Sequence, residues 1–177
     1  MILITGGAKS GKSVFAEKKA NEIGKKILYI ATAIPFDDEM KNKIKIHKLR
    51  RPKSWDTFEG YIDLDNIIYK NNNKYDCILF DCITLFITNY LQDFLELKYD
   101  ISSIENIILN ELKKIIDITK NTKKEIIFVT NELGMSLVPE NKLGRIFRDI
   151  SGNINQFLAK ESNEVYMVIS GIPIKIK

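Results

Sequence analysis

Histidine, cysteine and proline are scarce in this chain, and each scarcity narrows what it can be. Its 177 residues include one histidine, two cysteines and four prolines. A protein metal cluster draws on several cysteine, histidine and carboxylate ligands. Cys77 and Cys82 have no histidine near them in sequence. They flank one strand end, in Asp76-Cys77-Ile78-Leu79-Phe80-Asp81-Cys82, and read as reduced, small core residues. There is no Pro/Ser-rich linker, internal repeat or low-complexity tract beyond the Asn71-Asn72-Asn73 turn, so residues 1–177 are expected to form a single domain. No apolar run approaches the ~20 residues that span a bilayer. Met1-Ile2-Leu3-Ile4-Thr5 runs directly into Gly6-Gly7 without the basic start and long apolar stretch of a signal peptide, so a cytoplasmic location is expected.

Charge of one sign is also in short supply. The net charge is +4, and the lysines are scattered in pairs such as Lys18-Lys19, Lys25-Lys26, Lys113-Lys114 and Lys123-Lys124. Nucleic-acid binding calls for a concentrated basic stripe, which this pattern lacks, so solvated faces are expected and no nucleic-acid partner. What the chain does have is a globular balance, 45% hydrophobic and 28% charged. Short apolar runs alternate with amphipathic stretches. Strands are predicted at Ile2–Thr5, Lys26–Ala31, Cys77–Phe80, Ile126–Thr130 and Val165–Ser170. Helices are predicted at Lys12–Ile23, Asp37–Arg51, Tyr61–Tyr69, Leu85–Leu95, Ser102–Lys120 and Lys142–Ala159, the last starting after Pro139-Glu140. This alternation implies an α/β domain with a mostly parallel sheet and helices on both faces. Ligands in such sheets sit beyond the strands' carboxyl ends, after Thr5, Ala31, Phe80, Thr130 and Ser170.

The first of those positions carries a motif. Gly6-Gly7-Ala8-Lys9-Ser10-Gly11-Lys12-Ser13 fits G-x-x-x-x-G-K-[ST] between a predicted strand and a predicted helix, the context a P-loop requires. The glycines let backbone N–H groups turn inward around an oxyanion, and the following helix start adds its dipole. Lys12 would reach the β- and γ-phosphates, and the Ser13 hydroxyl would ligate Mg²⁺. A supporting acid is expected at another strand end, where Asp81 stands. Asp81 also reads as a cap for a helix beginning near Thr84, and the two roles are compatible. Asp149-Ile150-Ser151-Gly152 and Asn73-Lys74-Tyr75-Asp76 match the D-x-x-G and N-K-x-D strings of small regulatory GTPases, but in reversed order, and the second precedes a strand instead of following one, so both are chance matches.

His47 is the one histidine. On a helix, Lys43, Arg50 and Arg51 lie within a turn of it, and such neighbours favour neutral imidazole. Neutral imidazole is a nucleophile, and the same cations can stabilise charge on a phosphoryl group. Spacing alone favours the blander reading, a surface histidine on a basic helix.

Together these segments resemble one family, the bifunctional adenosylcobinamide kinase/adenosylcobinamide-phosphate guanylyltransferases of cobalamin assembly. The marks begin with Ile4–Ser13, Tyr29-Ile30-Ala31-Thr32-Ala33, Asp37-Asp38-Glu39-Met40, His47, Arg51-Pro52 and Trp55-Asp56-Thr57-Phe58-Glu59. They continue with Asp81-Cys82-Ile83-Thr84, Thr130-Asn131-Glu132-Leu133-Gly134-Met135, Val138-Pro139-Glu140, Phe147-Arg148-Asp149 and Ser170-Gly171-Ile172-Pro173-Ile174-Lys175. The resemblance implies phosphorylation of adenosylcobinamide by ATP or GTP, then transfer of GMP from GTP to the product through a guanylyl-histidine at His47. It implies nucleotide contacts at Gly6, Gly7, Ala8, Lys9, Ser10, Gly11, Lys12 and Ser13, at Ala31, Thr32 and Ala33, at Lys48, Leu49, Arg50 and Arg51, and at Glu59 and Asp81. Ser13 and Asp81 are the implied Mg²⁺ ligands, and a homotrimer is the implied assembly. Asn131, Glu132 and Arg148 are candidates for the corrinoid side. The chain departs from the family pattern at three places: Asp81 where glutamate is common, Lys9 where arginine is usual, and Pro35-Phe36. A kinase using only the P-loop, or a non-catalytic GTP sensor, would leave His47 without a role.

Overall fold

The structure, a computed structural model, describes residues 1–35 and 38–177, less the side chains of residues 39, 40, 43, 47 and 50. The expected helix start at Asp37 and the side chains of His47 and Arg50 therefore lie outside the described residues. In chain order the elements are β1 (Ile2–Gly6), α1 (Lys12–Ile23), β2 (Ile27–Ala31), α2 (Asp38–Arg50), β3 (Asp56–Glu59), α3 (Leu64–Asn71) and β4 (Cys77–Asp81). Then follow α4 (Ile83–Glu96), α5 (Ile101–Asn121), β5 (Glu125–Val129), α6 (Lys142–Glu161), β6 (Glu164–Ile169) and β7 (Ile172–Lys175).

Among the described residues the strands form one seven-stranded sheet in the order β3-β2-β4-β5-β1-β6-β7. Every neighbouring pair is parallel except β6 with β7. The central strands are hydrophobic at successive positions because both faces are covered. On one face Leu3, Ile30, Phe80 and Phe128 pack with Ile68, Phe86, Ile108, Leu112 and Ile154 from α3, α4, α5 and α6. On the other Ile4, Tyr29, Leu79, Val129 and Val168 pack with Ala16 and Ala20 of α1 and with Trp55. The expected α/β layering with helices on both faces is present. Cys77 and Cys82 are free and buried, as expected of core residues.

Two strands were not expected. β3 is only four residues, largely exposed, and β7 contains Pro173. Both lie at sheet edges, where one side of the strand needs no partner and apolar runs are not required. α3 starts at Leu64 rather than Tyr61, because Gly60 and Asp63 adopt positive φ and hold the chain in a turn. α6 is capped by Asn141, whose side chain accepts from Gly144 N, so Pro139-Glu140 precede the cap instead of opening the helix. Asp149–Gly152 lie inside α6, and Asp76 accepts the backbone N–H groups of Lys25 and Lys26, which accounts for both strings without a nucleotide. No helix among the described residues is long and apolar enough to cross a membrane.

Candidate functional site

The β1–α1 loop is shaped by contacts that only glycine permits. A Cβ on Gly6, at φ +158°, would stand 2.5 Å from the Val168 carbonyl oxygen. Gly11 takes the left-handed conformation at the N-cap of α1, with φ 94°. The loop is tied from behind by Gly171, whose N–H donates to the Ser10 carbonyl at 2.8 Å. Gly7, Ala8 and Lys9 are exposed, while Gly6, Ser10 and Lys12 are buried. Lys12 Nζ donates to the Gly7 carbonyl at 3.0 Å, folding the side chain over the loop. Burial lowers its pKa below the ordinary 10.5, opposed by the nearby Cys82 and Asp81.

Beside this loop lies a cavity of about 240 Å³ at the carboxyl ends of β2, β3, β4 and β5. Lys12, Ser13, Ala31, Ala33, Arg51, Glu59 and Asp81 line it, so residues expected from five separate segments converge there. Tyr29, Ile44, Cys82, Leu85 and Asn131 complete the lining. Asn131, read on the corrinoid side, thus stands in the same cavity as Lys12. A larger groove of about 590 Å³ between α4 and α6 has no lysine, arginine or histidine among its described lining residues, so it offers a polyanion no cation.

Several expected residues stand elsewhere. Thr32 is fully buried between strands: its hydroxyl donates to the Cys82 carbonyl at 2.7 Å and accepts from Cys82 N at 2.9 Å. Its backbone N–H donates to the Asp81 carbonyl, so Thr32 fixes the strand ends while Ala31 and Ala33 face the cavity. Leu49 is 78% exposed and lines no described cavity. Lys48 pairs with Glu59 at 2.7 Å, bridging α2 to β3. Position 47 falls within α2; its side chain, like that of Arg50, is outside the described residues. Arg148 is half-buried on α6, 4.0 Å from Asp149, and Glu132 accepts from Gly134 N, each apart from the cavity lining.

The chemistry of the cavity turns on Tyr29, Arg51 and Asp81. Tyr29 is 1% exposed, and its hydroxyl donates to Asp81 Oδ2 at 2.6 Å. Asp81 therefore does not cap α4, whose N-cap is Cys82 and carries no side-chain cap bond. The Arg51 guanidinium lies over the Tyr29 ring, 3.7 Å from its centroid, with Nε and Nη1 buried and unpartnered among the described residues. Tyr29 was missed as a site residue, although strand alternation puts it on the same face as Ala31, two positions on. Burial pushes the Cys82 thiol up to about 12, with Asp81 adding to the effect, so this cysteine is inert rather than nucleophilic.

For a divalent cation the described residues contain no group of three or more cysteine, histidine or carboxylate ligands. Magnesium needs only one or two protein oxygens when phosphates and water supply the rest. Ser13 and Asp81, with Asp81 Oδ1 not engaged by Tyr29, fit that limited part.

The family described as "Cobinamide kinase / cobinamide phosphate guanyltransferase" matches residues 2–176. The Bifunctional adenosylcobalamin biosynthesis protein CobU of Escherichia coli (strain K12) is 42% identical over 181 residues, covering 100% of this chain and 99% of that protein. Its counterpart CobU of Salmonella typhimurium is 43% identical over 182 residues, with 100% and 99% covered. CobP of Pseudomonas aeruginosa is 35% identical over 175 residues, with 99% and 96% covered. Among solved structures, the RadB recombinase aligns at TM-score 0.47 and 13% identity over 94% of this chain and 72% of that one, a distant likeness from which no functional correspondence follows.

Proposed function

The chain belongs to the cobinamide kinase/cobinamide phosphate guanyltransferase family, and from that membership we propose that it phosphorylates adenosylcobinamide and then transfers GMP from GTP to the resulting phosphate. The observation that carries the proposal is the convergence of Lys12, Ser13, Arg51 and Asp81 on one small cavity beside a P-loop. A triphosphate needs such a set of cations and N–H donors, held in place before it arrives.

In the transfer step, a ring nitrogen of neutral His47 attacks the α-phosphorus of GTP. The bond from that phosphorus to the β-phosphate oxygen breaks, and pyrophosphate leaves. Lys12 and the free donors of Arg51 stabilise the negative charge that grows on the leaving group. A cobinamide-phosphate oxygen then attacks the same phosphorus, the P–N bond breaks, and His47 returns to its starting form with adenosylcobinamide-GDP as product. Ser13 and Asp81 would hold Mg²⁺, which neutralises phosphate charge when bound. In the kinase step the loop amides and Lys12 hold the triphosphate of ATP or GTP while the substrate hydroxyl takes the γ-phosphoryl group. The proposed assembly is a homotrimer and the proposed compartment is the cytoplasm.

Intact-protein mass after incubation with GTP and Mg²⁺ tests the transfer chemistry. Wild type is expected to gain one GMP, labile in acid and stable in alkali, and His47→Ala to gain none. An unmodified wild type that still moves phosphoryl groups, with the same rate in His47→Ala, would sink the guanylyl-histidine route and leave a simple P-loop kinase.

A further inference from the structure

The cavity holds a carboxylate and a guanidinium within the same 240 Å³, yet no ion pair joins Asp81 to Arg51 among the described residues. Opposite charges sharing a partly desolvated cavity ordinarily pair, because attraction grows as water is excluded. Here one side chain occupies both. The Tyr29 hydroxyl holds Asp81 Oδ2 at 2.6 Å, and the Tyr29 ring face carries the Arg51 guanidinium at 3.7 Å. The ring cannot swing away: it is 1% exposed, backed by Trp55 at 6.3 Å between centroids, and anchored in the middle of β2. The β2–β4 register pairs Ala31 with Asp81 and Tyr29 with Leu79, so the hydroxyl reaches Asp81 diagonally along one face of the sheet.

Resting on the nucleotide-site reading above, we infer that Tyr29 is a positioning residue that keeps Asp81 and Arg51 apart, aiming the carboxylate at the metal-bound nucleotide and leaving the guanidinium N–H groups for its anionic oxygens. Arg51 Nε and Nη1 are the buried, unpartnered donors this arrangement requires. Neither an aliphatic residue nor phenylalanine provides both contacts.

The test is calorimetric GTP binding in EDTA and in Mg²⁺, for wild type, Tyr29→Phe, Tyr29→Leu, Asp81→Ala and the Tyr29→Phe/Asp81→Ala double variant. Tyr29→Phe keeps the ring and loses the hydroxyl. It is expected to leave the EDTA dissociation constant within about twofold of wild type and to shrink the affinity gained from Mg²⁺ by roughly fivefold. Tyr29→Leu removes the ring as well, and is expected also to weaken EDTA binding by roughly fivefold. In the Asp81→Ala background, Tyr29→Phe is expected to change nothing further. A Tyr29→Phe protein with the wild-type Mg²⁺ gain, or losses that simply add in the double variant, would overturn the positioning role. A merely structural tyrosine would lower the melting temperature of both variants and leave these ratios intact. Wild type that fails to bind GTP at all would overturn the nucleotide-site reading itself, and this proposal with it.

Discussion

Lys12 shows how burial sets a single residue's chemistry. Its ammonium is held on the Gly7 carbonyl, and desolvation lowers its pKa despite the nearby Cys82 and Asp81. A triphosphate arriving at the loop favours the charged form, so protonated enzyme binds it more tightly. Affinity for GTP is therefore expected to be full while Lys12 is charged in the free protein, and to fall as pH rises through its lowered pKa, beginning below the ordinary 10.5. A pH series of GTP dissociation constants checks this. Lys12→Arg, with a group that stays charged, is expected to flatten the alkaline limb. Lys12→Ala is expected to weaken binding by roughly 10- to 150-fold, the worth of one charged hydrogen bond. An alkaline limb that persists unchanged in Lys12→Arg would assign the titration to another group.

At the scale of elements, the starts of β2 and β4 are joined by one carboxylate. Asp76 accepts from the backbone N–H groups of Lys25 and Lys26 at 3.0 Å each, while its own N–H donates to the Lys26 carbonyl at 2.7 Å. Those bonds, the one from Lys26 foremost, hold its pKa below the usual carboxylate value. A depressed carboxylate pKa contributes stability that is present above the unfolded-chain value of about 3.9 and is lost as pH falls through the folded one. Asp76→Asn is thus expected to unfold at lower denaturant than wild type at pH 7. The difference should close below about pH 4 as the wild-type carboxyl protonates. Urea titrations at several pH values measure both; a gap that stays constant into acid would mean the charge of Asp76 is irrelevant. The Lys48–Glu59 pair, half-exposed at 2.7 Å, joins α2 to β3 in a comparable way but in solvent, where such pairs contribute little.

For the whole molecule, exposed apolar side chains occur at several places, and four of them fall close together in the chain. Met135, Leu137 and Val138 are exposed in the loop before α6, and Leu143 is exposed at the mouth of the groove between α4 and α6. Such patches are commonly covered in an assembly. The proposed trimer predicts a solution mass about three times the 20.4 kDa of the chain, measured by light scattering on a sizing column. A single-chain mass across the working concentration range would remove the trimer and leave the cavity chemistry untouched.

By itself the sequence determined the layer architecture, the central strands, the Gly-rich loop between β1 and α1 and the strand-end position of Asp81. These depend on local signals: doubly buried strands read as continuous apolar runs, and a phosphate loop needs glycines at fixed spacing next to a helix start. It also pointed to the family, through segments spread along its length. Tertiary structure alone decided what the side chains do once the strands lie side by side. The edge strands β3 and β7 were illegible because half-paired strands carry little apolar pattern. Thr32 turned from a lining residue into a clamp because its hydroxyl meets Cys82 across the sheet. Asp81 became the partner of Tyr29 rather than a helix cap, and Arg51 came to lie on the Tyr29 ring, 22 positions away in sequence. Such pairings follow from register and approach between distant segments, and no periodicity within one segment encodes them.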